Sequence, residues 1–154
     1  MYKVRQWSVT HSRKLEAFYQ AFEGLLLKMH PVFNWMGYQR LEKPVRAVEK
    51  TVKSLMFDCQ MCGQCALSST GMSCPMNCPK SIRNGPCGGV RLNGMCEVKP
   101  EMRCVWVEAW RGSRQMRDDQ SIRQVQLPVN HLFKGSSSWL RVVQDKNAQA
   151  EAVE

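Results

Sequence analysis

Cys59-Gln60-Met61-Cys62-Gly63-Gln64-Cys65, followed by Cys74, Cys78-Pro79, Cys87, Cys96 and Cys104, organises the rest of this chain. All eight cysteines of the 154-residue sequence lie between residues 59 and 104. Zinc sites usually collect their ligands as two CxxC pairs, or as a cysteine pair and a histidine pair. Three successive cysteines at two-residue spacing instead wrap three corners of a cubane, as in the bacterial ferredoxin run, where a Cys-Pro follows elsewhere. Cys78-Pro79 supplies a Cys-Pro here, farther from the triplet than in that run. Eight thiolates are the number for two four-cysteine sites: two [4Fe-4S] clusters, or one cluster and one zinc. The expected ligands are Cys59, Cys62, Cys65, Cys74, Cys78, Cys87, Cys96 and Cys104. The triplet is expected to share a site with one more distant cysteine. The rest of the partition stays open, because ligands cross over between paired sites.

An even cysteine set also suits a secreted disulfide scaffold. The N-terminus has no long apolar segment followed by a small-residue cleavage site, so a secretory signal is not expected. The expected compartment is the cytoplasm, where thiols stay reduced. No βαβ pattern surrounds the CxxC pairs, which argues against a thioredoxin-type redox motif. His11, His30 and His131 are scattered and read as surface or capping residues. No phosphate loop or dinucleotide fingerprint is present. Glycine lets backbone N–H groups approach cluster sulfurs, and Gly63, Gly85, Gly88 and Gly89 are placed for this. Lys80 and Arg83 are candidates to balance the charge of a cluster or to contact a partner.

Outside the cysteine stretch the periodicity is helical. Leu15, Phe18, Phe22, Leu25, Leu26 and Met29 recur at three- and four-residue intervals. Ser12 is the expected N-cap of that helix and Pro31 its end. A second helix is expected from Pro44, with Val45, Val48, Val52, Leu55 and Met56 as its stripe, running into Cys59. Both stripes read as core packing, with partner docking as the alternative for the first. Val90–Leu92 and Met95–Val98 flank Asn93-Gly94 as a short hairpin. A third helix is expected near Pro100-Glu101, carrying Cys104, Val107 and Trp110. The expected fold is small, α+β or mostly α, with an irregular cysteine-rich metal-cluster module flanked by helices. Its regions are a helical 1–57, a cysteine-rich metal-binding module over 58–117, a partner-docking or packing segment over 118–143, and a disordered tail over 144–154.

The formal net charge of +9 would fall to roughly +5 if two four-thiolate sites each carried about −2. Residues 1–58 hold ten Lys/Arg against five Asp/Glu. The aromatics are not interleaved with these charges, which argues against a nucleic-acid platform. Leu25-Leu26-Leu27 is broken at once by Lys28, so no membrane span is expected. The chain is also too short for a flavin-bearing (β/α)₈ barrel, which needs about 250 residues.

Cys59-Gln60-Met61-Cys62-Gly63-Gln64-Cys65, Thr70-Gly71-Met72-Ser73-Cys74-Pro75, Cys78-Pro79-Lys80 and Arg83-Asn84-Gly85-Pro86-Cys87-Gly88-Gly89 together resemble the cysteine-rich domain found with methylenetetrahydrofolate reductases. In many bacteria that domain is a separate small subunit, the MetV type, or is fused to the reductase. Asn93-Gly94, Cys96-Glu97-Val98, Cys104-Val105-Trp106 and Ser137-Ser138-Trp139 extend the resemblance over roughly residues 40–143. It implies a flavin-containing reductase subunit as partner, with the flavin only in that partner. It also implies an accessory role, not catalytic alone: stabilising the partner and passing it electrons, with an electron-donor protein as a further partner. The family domain has been described both as zinc-binding and as iron–sulfur-binding. A purely structural zinc subunit of the same complex, or an independent zinc-binding interaction protein, are the competing readings.

Overall fold

The computed structural model describes residues 2–152. Helices α1 (Tyr2–Thr10), α2 (Ser12–Lys28), α3 (His30–Met36) and α4 (Tyr38–Phe57) account for nearly all of the N-terminal region. Two more, α5 (Val105–Ser113) and α6 (Ser138–Glu151), follow the cysteine stretch. Between them lie irregular backbone and short 3₁₀ turns at Pro75–Asn77, Ser121–Arg123 and His131–Phe133. The fold is mostly helical, and among the described residues there is no strand. The expected hairpin around Asn93-Gly94 is reduced to isolated antiparallel bridges, Val90 to Cys96 and Met95 to Arg103. None of the described helices is long and apolar enough to cross a membrane.

Several helix ends differ from the sequence expectation. Ser12 does not cap α2; it is buried in the helix, and its hydroxyl donates to the Gly112 carbonyl at 2.8 Å. Pro31 lies in the first turn of α3, where its missing N–H costs nothing. The helix expected from Pro44 starts earlier, at Tyr38, after Gly37 at φ 85°. Pro44 is carried inside it, and so the Arg40 carbonyl lacks its helical donor. α5 begins at Val105, later than Pro100-Glu101. Cys96 N–H donates to the Met102 carbonyl and Cys104 N–H to the Gly94 carbonyl, which ties residues 96–104 into the bridged turn before a helix can start.

α1 packs on α4 and α5, while α6 packs on α2 and α4. The core is divided into small clusters: Phe57, Leu67, Met72 and Met116; Phe33, Leu140 and Val143; Cys104, Trp106 and Ala109. The last region therefore packs on its own chain. Leu140 is buried, and Trp139 meets Phe22 edge-on at 4.8 Å. The tail expected to lack structure from residue 144 is helical through Glu151. Ser137 caps α6 by accepting from Leu140 N–H, and Ala148, Gln149 and Ala150 are good helix formers. Residues 153 and 154 lie outside the described residues.

The stripe of α4 is split: Val45 and Met56 pack against core clusters, and the middle of the stripe does not. Val48 (59% exposed), Val52 (41%) and Leu55 (61%) face outward, while Glu49 (1%) and Lys53 (3%) are buried. The α2 stripe is split, with Leu15 and Leu26 packed against core clusters but Phe18 and Leu25 exposed.

Candidate metal centre

α4 ends in a left-handed residue, Asp58 (φ 54°), which turns the chain into the cysteine loop. Met61 (φ 49°) is left-handed too, an uncommon state for a residue with a side chain and one that concentrates at functional sites. Its N–H donates to the Cys59 sulfur at 3.4 Å. Gly63 (φ 73°) presses on the Phe133–Ser136 segment so closely that an added Cβ would collide with the Phe133 carbonyl oxygen. That segment is fastened to the loop by Gly135 N–H donating to the Met61 carbonyl at 2.7 Å and by Asn130 N–H donating to Gln64 Oε1 at 2.8 Å.

Under this cover Cys59, Cys62, Cys65 and Cys74 line a single cavity of about 20 Å³. Of the five more distant cysteines, Cys74 is the one that lines this cavity with the triplet. Burial pushes the Cys74 thiol up to about 12, with the charges of Cys65 and Cys59 adding to the rise. Burial raises Cys59 as well. Burial thus favours the protonated form of Cys59 and Cys74, and a metal must displace those protons to bind. Among the described residues, no three histidine, cysteine or carboxylate side chains converge within reach of a single ion.

The same cavity is lined by two basic side chains that are themselves buried, Lys53 and Arg83. Arg83 donates through Nη2 to the Gln64 carbonyl at 3.2 Å, and its Nη1 lies 3.8 Å from the Cys62 sulfur. Its Nε is buried without a partner. Lys53 donates to Glu49 Oε1 and to Ser138 Oγ, each at 2.7 Å. Burial alone would lower the Lys53 ammonium; the Cys65 and Glu49 charges outweigh it and raise it. Glu49 is pushed up by burial, but Lys53 and hydrogen bonds from Ser137 and Ser138 hold it below its ordinary value. Four thiols, an orphaned guanidinium nitrogen and a buried ammonium are a fitting set for an anionic metal–thiolate group.

The other four cysteines lie off this cavity. Cys78 ends the Pro75–Asn77 turn, and Cys87 sits 4.0 Å from a Glu97 carboxylate oxygen. Cys96 is in the bridge to Val90, and Cys104 precedes α5, buried beside Trp106 and Ala109. Of the glycines expected near sulfur, Gly63 lines the cavity; Gly85 and Gly88 face open space, and Gly89 abuts the Glu97 side chain. Lys80 is exposed and pairs with Glu97. His11 stacks on Trp7, and His30 hydrogen-bonds the Tyr38 hydroxyl at 2.7 Å. Sequence reasoning missed Glu49 and Lys53. The available signal was an i,i+4 Glu–Lys pair within three turns of Cys59, a pattern that ordinarily marks a solvated face.

A family model described as the methylene-tetrahydrofolate reductase C terminal matches residues 38–132. The matched span runs from the first residue of α4 through the cysteine loops to the His131–Phe133 turn. No curated protein and no solved structure matches the chain.

Proposed function

The chain belongs to the methylene-tetrahydrofolate reductase C-terminal family, and from that premise we propose that it is an iron–sulfur accessory module of a flavin-dependent methylenetetrahydrofolate reductase. In this reading it stabilises the flavin-bearing subunit and passes electrons to it. The observation that carries the reading is the cavity where Cys59, Cys62, Cys65 and Cys74 meet two buried basic side chains, Lys53 and Arg83. A [4Fe-4S] cluster there would supply one-electron storage. The residues of the chain do the rest. The four thiols release their protons and ligate; Met61 N–H donates to a ligand sulfur; Arg83 and Lys53 offset negative charge; the Phe133–Ser136 segment covers the loop from outside. Cys78, Cys87, Cys96 and Cys104 remain the donors for a second site, cluster or zinc.

Association with the flavoprotein is supported by the outward apolar face of α4. Val48, Val52 and Leu55 form one exposed stripe on the helix that delivers Cys59, so a partner seated there would lie beside the cluster loop.

The decisive experiment is anaerobic purification followed by metal, sulfide and visible-absorption measurements. The expected result is about four iron and about four sulfide for each cluster, a broad visible band that bleaches with dithionite, and loss of the triplet's cluster in Cys74→Ser. A colourless protein containing zinc and no iron would overturn electron transfer in favour of the structural zinc subunit. Co-purification with a flavoprotein separates both from an independent interaction protein.

A further inference from the structure

We propose that the buried Lys53 ammonium, oriented by Glu49 and the N-terminus of α6, sets the reduction potential of the group held by Cys59, Cys62, Cys65 and Cys74. The inference rests on the iron–sulfur reading above and assigns a role to residues outside the cysteine loops.

A buried ion pair is a poor stabilising device. Desolvation offsets most of its attraction, and an apolar pair of similar volume often serves stability as well or better. Glu49 and Lys53 are nevertheless the buried face of α4, where Val48 and Val52 of the same helix point to solvent. Their hydrogen-bond partners differ. The Glu49 carboxylate accepts from Ser137 Oγ at 2.6 Å, from Ser138 Oγ at 2.5 Å, and from the Ser138 and Trp139 N–H groups at 3.2 and 3.4 Å. It therefore sits on the first turn of α6, whose end carries about half a positive charge. Lys53, by contrast, has one anionic partner, Glu49, and one neutral acceptor, the Ser138 hydroxyl. The first turn of α6 is shared by two carboxylates, because Ser137 N–H also donates to Glu42 Oε1 at 2.6 Å. Lys53 and Glu49 both line the thiol cavity, so each acts on a group held there by its own charge, the ammonium favouring added negative charge and the carboxylate opposing it. Through these contacts Ser137-Ser138-Trp139, distant from the cysteines in sequence, reaches the pair, and Ser138 lines the thiol cavity itself.

One electron from a low-potential donor of the ferredoxin class would take the four-thiolate site from an overall charge of about −2 to about −3. No bond is made or broken, and Lys53 keeps its proton throughout. A fixed positive charge favours the more negative state, so its removal disfavours reduction.

The test is an anaerobic redox titration of the full iron-loaded chain, followed by visible absorbance and electron paramagnetic resonance. Lys53→Met should lower the reduced-to-oxidised ratio at fixed poise about tenfold, a shift of about 59 mV for a one-electron couple. Glu49→Gln should shift it in the opposite direction, and Lys53→Arg should stay near wild type. Opposite shifts at unchanged iron content support the proposal, because a merely structural role would move stability without reversing the sign of the potential. Iron-loaded Lys53→Met and Glu49→Gln chains that titrate with wild type would overturn it while leaving the iron–sulfur function intact. Where Lys53→Met fails to fold or loses iron, Glu49→Gln decides alone: a raised potential supports the proposal, an unchanged one sinks it. A wild-type chain that binds no iron overturns the function itself, and this inference with it.

Discussion

At Gly63 the absent side chain sets how closely the cysteine loop meets its cover. The residue holds φ 73°, and an added Cβ would strike Phe133 backbone and lie 2.8 Å from Ser136 Oγ. Gly63→Ala is therefore expected to cost about 1–3 kcal/mol through left-handed strain, with the collision added. A lowered denaturant midpoint would show it; an unchanged midpoint would mean the cover is not packed as described. The neighbouring residues illustrate how far residue-level reading goes. The triplet spacing is a local signal, and it is what the proposed metal chemistry rests on at this scale. Arg83 was a candidate for charge balance, and its burial against Cys62 agrees with that role. Lys80 was the other candidate, and it is exposed and paired with Glu97. Nothing local distinguishes the two basic residues; what differs is which loop folds over them.

At the scale of elements, the contact between α4 and α6 is polar where a core would be apolar. Ser137→Ala removes both the cap on Leu140 N–H and a donor to Glu49, and is expected to cost about 1 kcal/mol or more, read in the unfolding midpoint. The contact should also be acid-sensitive. Glu49 is held below its ordinary value of 4.5, so its folded state binds a proton less readily than its unfolded state. Its contribution is fully present above that value and is lost as pH falls through the lower folded value. Stability measured against pH should drop in this acid window, and the drop should shrink in Glu49→Gln. If both chains follow the same acid profile, Glu49 is not ionised in the folded state. The helices themselves were largely legible, since three- and four-residue periodicity is a property of local sequence. Their faces were legible only in part: Val45 and Met56 of the α4 stripe do pack on core clusters. Val48, Val52 and Leu55 read as an inward stripe by hydropathy, but the inward side of α4 is chosen by what α6 brings to it: the hydroxyls and N–H groups of Ser137 and Ser138, which solvate a buried carboxylate.

For the whole molecule, the consequence is an apolar patch of Val48, Val52 and Leu55 left outside, beside the loop that begins at Cys59. Val52→Asp combined with Leu55→Asp should leave the isolated chain folded, because both side chains are exposed and lie outside the described core clusters. Association with the flavoprotein subunit should be lost, as read by size-exclusion chromatography of the mixed proteins. Retention of the complex would place the interface elsewhere. The sequence alone determined the helical character of the flanks, the concentration of all eight cysteines between residues 59 and 104, and the family, because each depends on residue type and short spacing. Tertiary structure alone decided that Cys74 lines one cavity with the triplet, that the last region packs against the cysteine loop, and that Glu49 and Lys53 line that cavity too. Each of these depends on contacts between residues far apart in the chain. A buried charge, unlike an apolar stripe, leaves no periodic trace of the partners that make its burial tolerable.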